Sequence, residues 1–169
     1  NEICTIDIED STVALAELSG LFHTCGSIHL HGNQKLSFTI RTENAAVARR
    51  VFKLLKNNYT IKARVAILKN KQFKNRNVYT VVAPSQEGVL QVLLDLHSLK
   101  MEGDVVSLDY IIPKKFKRDV DCRRAVIRGA FLGGGSISNP NKGYHLEFTC
   151  NTKAYAMQLM ELINGFDLR

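Results

Sequence analysis

The sequence has no apolar run near the length of about eighteen residues that a membrane-crossing helix needs, and its start shows no cleavable leader. A soluble chain is expected. Its four cysteines, Cys4, Cys25, Cys122 and Cys150, form no C-x-x-C pair and no tight cluster. That argues against a zinc framework and against a disulfide-stapled secreted scaffold, and implies a reducing cytoplasm. Residue 1 is Asn, so the natural chain is expected to begin further upstream. With 45% hydrophobic and 23% charged residues the composition is globular, not disordered or coiled-coil, and 169 residues suit one large domain or two small ones.

Acids are scarce where bases gather. From Arg41 to Arg76 there are eleven Lys or Arg and one acid, Glu43; from Lys114 to Arg128 there are seven against Asp119 and Asp121. Glu2 to Glu17 holds five acids and no base, and the net charge is +7. Charge so segregated predicts an electropositive face suited to a polyanion, the alternative being a solvated surface that happens to be basic.

Periodicity then orders the elements. Val13, Leu15, Leu18, Leu21 and Phe22 recur at helical spacing from Thr12 to Thr24, with Asp10 or Ser11 as cap. Ile28 to Leu30 and Leu36 to Ile40 alternate about His31-Gly32-Asn33, predicting a hairpin. Asn44 caps a second helix, Ile61 to Ile67 pairs with Val78 to Ala83, and Pro84-Ser85 opens a third helix through Leu96. A connector from about Leu99 to Asp121 includes a strand-like stretch at Val105 to Ile112 and the basic run Pro113 to Arg118. Next come a helix from Asp121 to Gly133, a hairpin of Ile137 with Tyr144 to Cys150 turning at Asn139-Pro140-Asn141, and a helix from Thr152 to Gly165.

This restart is an internal duplication. Leu18-Ser19-Gly20-Leu21-Phe22 matches Ile127-Arg128-Gly129-Ala130-Phe131, and Gly26-Ser27-Ile28 matches Gly135-Ser136-Ile137 at the same offset. The expected class is α+β, with two pseudo-symmetric α-β-β-α-β-β-α repeats, the second incomplete in this chain. Residues 1–98 form the first repeat, 99–120 the connector and 121–169 the truncated second repeat. Small residues recur four apart at Ala16 and Gly20, and at Ala125, Gly129 and Gly133, placing a stripe on each central helix that lets two backbones approach. Gly26 and Gly135 read instead as helix caps.

The segments Leu18 to Gly26 and Ile127 to Gly135 resemble two degenerate LAGLIDADG motifs, the central helices of homing endonucleases. More closely, Cys122-Arg123-Arg124-Ala125 through Gly134-Gly135-Ser136, Tyr144-His145-Leu146-Glu147 and Asn44-Ala45-Ala46-Val47-Ala48-Arg49-Arg50 resemble the WhiA family. That resemblance implies a bacterial regulator of sporulation and cell division, with an endonuclease fold joined to a C-terminal helix-turn-helix domain that this chain does not include. LAGLIDADG nucleases hold divalent metal on an acid near the end of each central helix. The equivalent positions here are Cys25 and Gly134, which carry no hard oxygen side chain, so no catalytic residues, no metal and no cofactor are expected.

Other chemistry is weaker. His23, Cys25, His29 and His31 are the densest set of soft ligands, but match no ligand framework. Gly133 to Ser136 follows a helix and precedes a strand, the reverse of a phosphate loop. If Leu36, Phe38 and Ile40 face the helices, Lys35, Ser37, Thr39 and Arg41 face away; likewise Lys62 and Arg64 face away if Ile61, Ala63 and Val65 face in. Lys69, Lys71, Lys74 and Arg76 then extend at a hairpin rim, able to reach phosphates of double-stranded DNA. Arg49, Arg50, Lys53 and Lys56 read as a solvated helix face. On the second repeat, Glu147 would repel phosphate unless paired. The alternative is a domain that contacts a protein partner in transcription while the helix-turn-helix binds DNA. A nucleoid-associated cytoplasmic location, with no membrane, follows from the first reading.

Overall fold

The structure is a computed structural model and describes residues 2–70, 76–139, 141, 143 and 145–166. After a 3-10 turn at Glu2–Thr5 come α1 (Ser11–Cys25), β1 (Gly26–Leu30), β2 (Leu36–Thr42), α2 (Ala45–Asn58), β3 (Arg64–Asn70), β4 (Arg76–Ala83) and α3 (Val89–Asp95). Then follow β5 (Leu99–Glu102), β6 (Val105–Leu108), α4 (Lys114–Arg118), α5 (Val120–Gly134), β7 (Gly135–Ile137), β8 (Leu146–Phe148) and α6 (Lys153–Asn164). Both central helices start on an aspartate cap. The Asp10 carboxylate accepts from the Thr12 and Val13 amides at 2.6 and 3.1 Å, and that of Asp119 accepts from the Cys122 amide at 2.7 Å.

The first repeat folds α1 and α2 onto an antiparallel sheet of order β1-β2-β4-β3. Phe38, Ile40, Val81 and Ala83 point inward and pack with Leu18, Leu21 and Phe22 of α1, Val51 and Leu55 of α2, and Val92 and Leu93 of α3. A second core joins α1 to the second repeat through Ala16, Phe116, Ala125, Val126, Ala130, Tyr155 and Leu159. β7 and β8 pair as a separate two-stranded sheet, Gly135 opposite Phe148 and Ile137 opposite Leu146.

The helices α1 and α5 meet backbone to backbone. A Cβ on Gly20 would collide with the Val126 carbonyl oxygen and lie 2.9 Å from the Ala130 amide nitrogen. A Cβ on Gly129 would collide with the Glu17 carbonyl oxygen and lie 3.0 Å from the Leu21 amide nitrogen. Gly129 is the duplicate of Gly20, and Val126 occupies the position duplicating Glu17, so each glycine meets the other helix at equivalent places, as a two-fold relation requires. Ala16 and Ala125 are fully buried, and a Cβ on Gly133 would press to 3.0 Å from Cys25 Sγ.

Several boundaries differ from the sequence pattern. β3 begins at Arg64, three residues later than expected, because Gln86 occupies the Lys62 main chain: its Oε1 accepts from the Lys62 amide at 2.8 Å and its Nε2 donates to the Lys62 carbonyl at 3.2 Å. Val65 and Ile67 lie on the helix side of the sheet yet are 41% and 58% exposed, since β3 is an edge strand and the helices cover β2 and β4. Helix α3 starts at Val89, after Gly88 at φ +89, not at Pro84-Ser85. The connector holds a hairpin, β5–β6, turning at Gly103 (φ 63), and the basic run folds as α4. Gly26 and Gly135 do cap their helices as expected, in extended backbone at φ −89 and −85; a Cβ there would press on the Phe22 and Phe131 rings. Pro140 and Tyr144 of the second hairpin lie outside the described residues.

Candidate nucleic-acid interface

Antiparallel register sorts the first sheet into two faces. Away from the helices, Ser27, Thr39, Val82 and Arg64 form one row across the four strands, and Arg41, Thr80 and Ala66 form another. His29 stands opposite Ser37, and the His31 amide donates to the Lys35 carbonyl at 2.8 Å, which extends the β1–β2 ladder by a rung and places Lys35 on this outer face. His29 Nε2 lies 3.0 Å from Thr39 Oγ1, and His31 Nε2 lies 2.7 Å from Ser37 Oγ, so the imidazoles and hydroxyls form a polar ladder. No Asp or Glu shares this face among the described strand residues.

The cations anticipated from the sequence divide accordingly. Lys35, Arg41 and Arg64 sit on the outer face and are exposed, and Lys62 is exposed in the coil before β3. Lys69 pairs with Asn77 in register on the same side as Val65 and Ile67, so it lies on the opposite face, not at a shared rim. β3 runs on to Asn70, so Lys69 belongs to the strand and keeps the side expected for Ile61, Ala63 and Val65. Lys71 and Lys74 lie outside the described residues, and Arg76 is placed only as the β4 residue opposite Asn70. On the second repeat Ser136 and Glu147 stand opposite each other, and Glu147 has a partner: His145 Nε2 lies 2.8 Å from its Oε1.

At the ends of the central helices, Cys25 and Gly134, the positions where the resemblance implies nuclease acids, differ in their surroundings. Cys25 Sγ donates to the Leu21 carbonyl at 3.2 Å, and burial pushes the thiol up to about 11. Gly134 accepts from the Thr149 amide at 2.8 Å, and a Cβ there would run into the Thr149 carbonyl oxygen. A thiol and a position closed to any side chain do not fit a hard divalent cation. His23, Cys25, His29 and His31 are not brought together. His23 lies inside, 3.3 Å from the Leu96 carbonyl and stacked on Tyr155 at 4.5 Å between centroids, and burial lowers its pKa to about 4. Among the described residues no three His, Cys, Asp or Glu side chains are gathered as metal ligands.

The sequence reading missed a buried ionic hub. Glu17, fully buried in α1, is paired with Arg50 of α2 and Arg128 of α5. Arg50 Nη2 donates to Glu17 Oε2 at 3.0 Å, and Nη1 donates to the Cys4 and Ile6 carbonyls at 2.9 and 2.8 Å. Burial opposes its charge, but the hydrogen bonds and field of Glu17 outweigh that and leave its pKa raised. Arg50 is therefore not part of a solvated face, whereas Arg49, Lys53 and Lys56 are exposed. The signal was present: an acid flanked by Ala16 and Leu18 in a helix buried on all sides has to find cations, because an unpaired buried carboxylate is too costly.

Comparison with known proteins fits this geometry. The family model described as the WhiA N-terminal LAGLIDADG-like domain matches residues 11–99, and that of the WhiA LAGLIDADG-like domain matches residues 123–169. The chain is 44% identical over 168 residues to the probable cell division protein WhiA of Clostridium novyi, covering 99% of this chain and 53% of that protein. The figures for the protein of the same name from Clostridium botulinum are 45%, 99% and 53%. The chain thus spans about half the length of the curated relatives it matches. Among solved structures, the N-terminal LAGLIDADG domain of DUF199/WhiA superposes with a TM-score of 0.69 at 20% identity, over 98% of this chain and 70% of that one. The homing endonuclease I-WcaI bound to its DNA recognition sequence gives a TM-score of 0.51 at 13% identity, over 90% of this chain and 64% of that one. Both are likenesses of fold, and with the two family matches they lead to one conclusion: the chain belongs to the WhiA family.

Proposed function

We propose that this chain is a non-cleaving, DNA-contacting domain of a regulator that acts in cell division and sporulation. The observation that carries the reading is the outer face of the β1-β2-β4-β3 sheet, where Lys35, Arg41 and Arg64 stand among hydroxyls and imidazoles with no acid beside them among the described strand residues. Cations anchor phosphates, and hydroxyl and imidazole groups exchange hydrogen bonds with backbone or base edges. The closed Gly134 position and the thiol at Cys25 support the absence of cleavage, since the metal chemistry of a nuclease needs carboxylates there. The second repeat offers Glu147 paired with His145, so the footprint is lopsided, centred on the first sheet. In the whole protein such a domain would work in the cytoplasm on the nucleoid, at promoters, beside a helix-turn-helix domain and a protein partner in transcription.

Fluorescence anisotropy of the chain with labelled duplex DNA across a salt series tests this. Binding that weakens steeply with salt is expected, and Arg41→Gln with Arg64→Gln should reduce the log–log slope by roughly two, as loss of two phosphate contacts does. Absence of binding at low salt would overturn it and transfer the DNA work to the rest of the protein.

A further inference from the structure

The basic run Pro113 to Arg118 takes no part in the sheet face. In α4, Phe116 is fully buried against Ala125, Val126, Tyr155 and Leu159, and its ring meets that of His97 edge-on at 6.1 Å. With Phe116 turned inward, Lys114, Lys115 and Arg118 are exposed and Lys117 half-buried. The segment is held rigid from α6: Gln158 Nε2 donates to the Tyr110 carbonyl at 2.8 Å, and its Oε1 accepts from the Ile112 amide at 2.9 Å and from Lys117 Nζ at 3.4 Å. The adjoining acids are engaged elsewhere. Asp119 caps α5 through the Cys122 amide and Asp121 pairs with Arg124 at 3.4 Å, so none of the four cations has a carboxylate partner among the described residues.

Position matters as much as charge. Helix α4 immediately precedes the N-terminus of α5, whereas β7 leaves from its C-terminus, about 22 Å away along fifteen residues of helix. Phe116 lies in the helix layer, and the outer face of the first sheet is on the other side of that sheet. The α4 cations thus belong to the helix side of the first sheet, and Lys35, Arg41 and Arg64 to its other side.

We propose that α4 is a second phosphate-contacting surface, so that the domain holds two DNA segments at once and bridges them. The proposal rests on the reading that the sheet face contacts DNA. Phosphate backbone fits better than an acidic protein because the exposed residues of α4 are all cations and its one aromatic side chain points into the core; beside it in sequence only the aliphatic Ile111 and Val120 are exposed, whereas protein interfaces centre on aromatic anchors. Preorganised, unneutralised cations suffice for a phosphate backbone.

The test immobilises one duplex on beads, adds the chain and then a fluorescent second duplex, and in parallel measures single-duplex affinity by anisotropy. Wild-type chain should capture the second duplex. Lys114→Gln, Lys115→Gln, Lys117→Gln and Arg118→Gln combined should lower capture roughly tenfold while changing single-duplex affinity by about twofold at most. Lys114→Gln with Arg118→Gln, both at exposed sites, should lower capture in the same direction and guards against misfolding of the fourfold variant. Capture undiminished in both variants overturns the proposal, as does an equal loss of capture and single-duplex binding. So does wild-type chain that binds one duplex without capturing a second, or whose α4 cations retain labelled polyglutamate but no duplex. Failure of wild-type chain to bind even a single duplex overturns the sheet reading, and the bridging with it.

Discussion

His23 is held neutral by its surroundings, and that has a sign. Burial lowers its pKa from 6.5 to about 4, so between those values the unfolded chain binds a proton that the folded chain refuses. Its contribution is fully present above pH 6.5 and is lost as pH falls towards 4, a cost of about 3 kcal/mol over the window. His97, lowered by burial and by Lys115, acts in the same direction. Urea midpoints should therefore fall between pH 7 and pH 4.5, and His23→Leu, which installs the residue found at the duplicate position Leu132, should flatten most of that slope. A slope unaltered by the substitution would show that His23 is not the group responsible. Glu17 calls for a different test. Glu17→Gln leaves Arg50 and Arg128 facing each other without a counter-charge in a buried setting, and should cost about 3–5 kcal/mol in urea unfolding at neutral pH. A loss below about 1 kcal/mol, typical of surface pairs, would contradict the burial of the hub.

At the scale of elements, helices were legible wherever caps and apolar periodicity agreed, and strands wherever alternation met a turn. Asp10 and Asn44 fixed two starts, and Asn33, at φ 59, occupies the left-handed turn position that short amide side chains tolerate. What could not be read depended on contacts distant in sequence. Nothing local in Ile61-Lys62-Ala63 says that Gln86 will take its main chain and delay β3, and nothing local at Lys69 says that the strand continues through it to Asn70. The hairpin β5–β6 went unread because Leu99 to Glu102 has no clean alternation. The glycine seam was legible as a spacing that lets two helices pack about a pseudo-two-fold axis, and it makes a stability prediction. Gly129→Ala puts a Cβ into the Glu17 carbonyl, backbone that cannot rotate away, so α1 and α5 must separate; a loss of about 2–3 kcal/mol is expected. Gly32→Ala, where a Cβ meets nothing, should change the thermal midpoint little and serves as the control. Equal effects from the two would dismiss the seam as a determinant of stability.

For the molecule as a whole, a two-fold scaffold carries two unlike halves. The duplicated helices cross symmetrically at Gly20 and Gly129, but the hub at Glu17 is single, because Val126 stands at the duplicate position. The same asymmetry reaches the nuclease acid sites. The resemblance implies acids at these two positions, where the sequence has Cys25 and Gly134; the structure adds that the two differ in whether an acid fits. Cys25 is a side chain in a partly buried place, so Cys25→Asp has room for an oxygen there, although its carboxylate cannot replace the thiol's donation to the Leu21 carbonyl and bears the burial that raises the thiol. Gly134 is pinned by the Thr149 amide and has the Thr149 carbonyl where a Cβ would go, so Gly134→Asp must displace the chain just after β8 before it can offer an oxygen. Restoring both acids should therefore yield no nuclease: supercoiled plasmid should stay intact with magnesium or manganese. The double variant should also unfold at lower urea than Cys25→Asp alone, by about 2 kcal/mol. Metal-dependent nicking by the double variant would mean that the chain just after β8 yields easily and that only two side chains separate this scaffold from cleavage. An intact plasmid together with the extra instability would place the loss of cleavage in the backbone, where a single reversion cannot undo it.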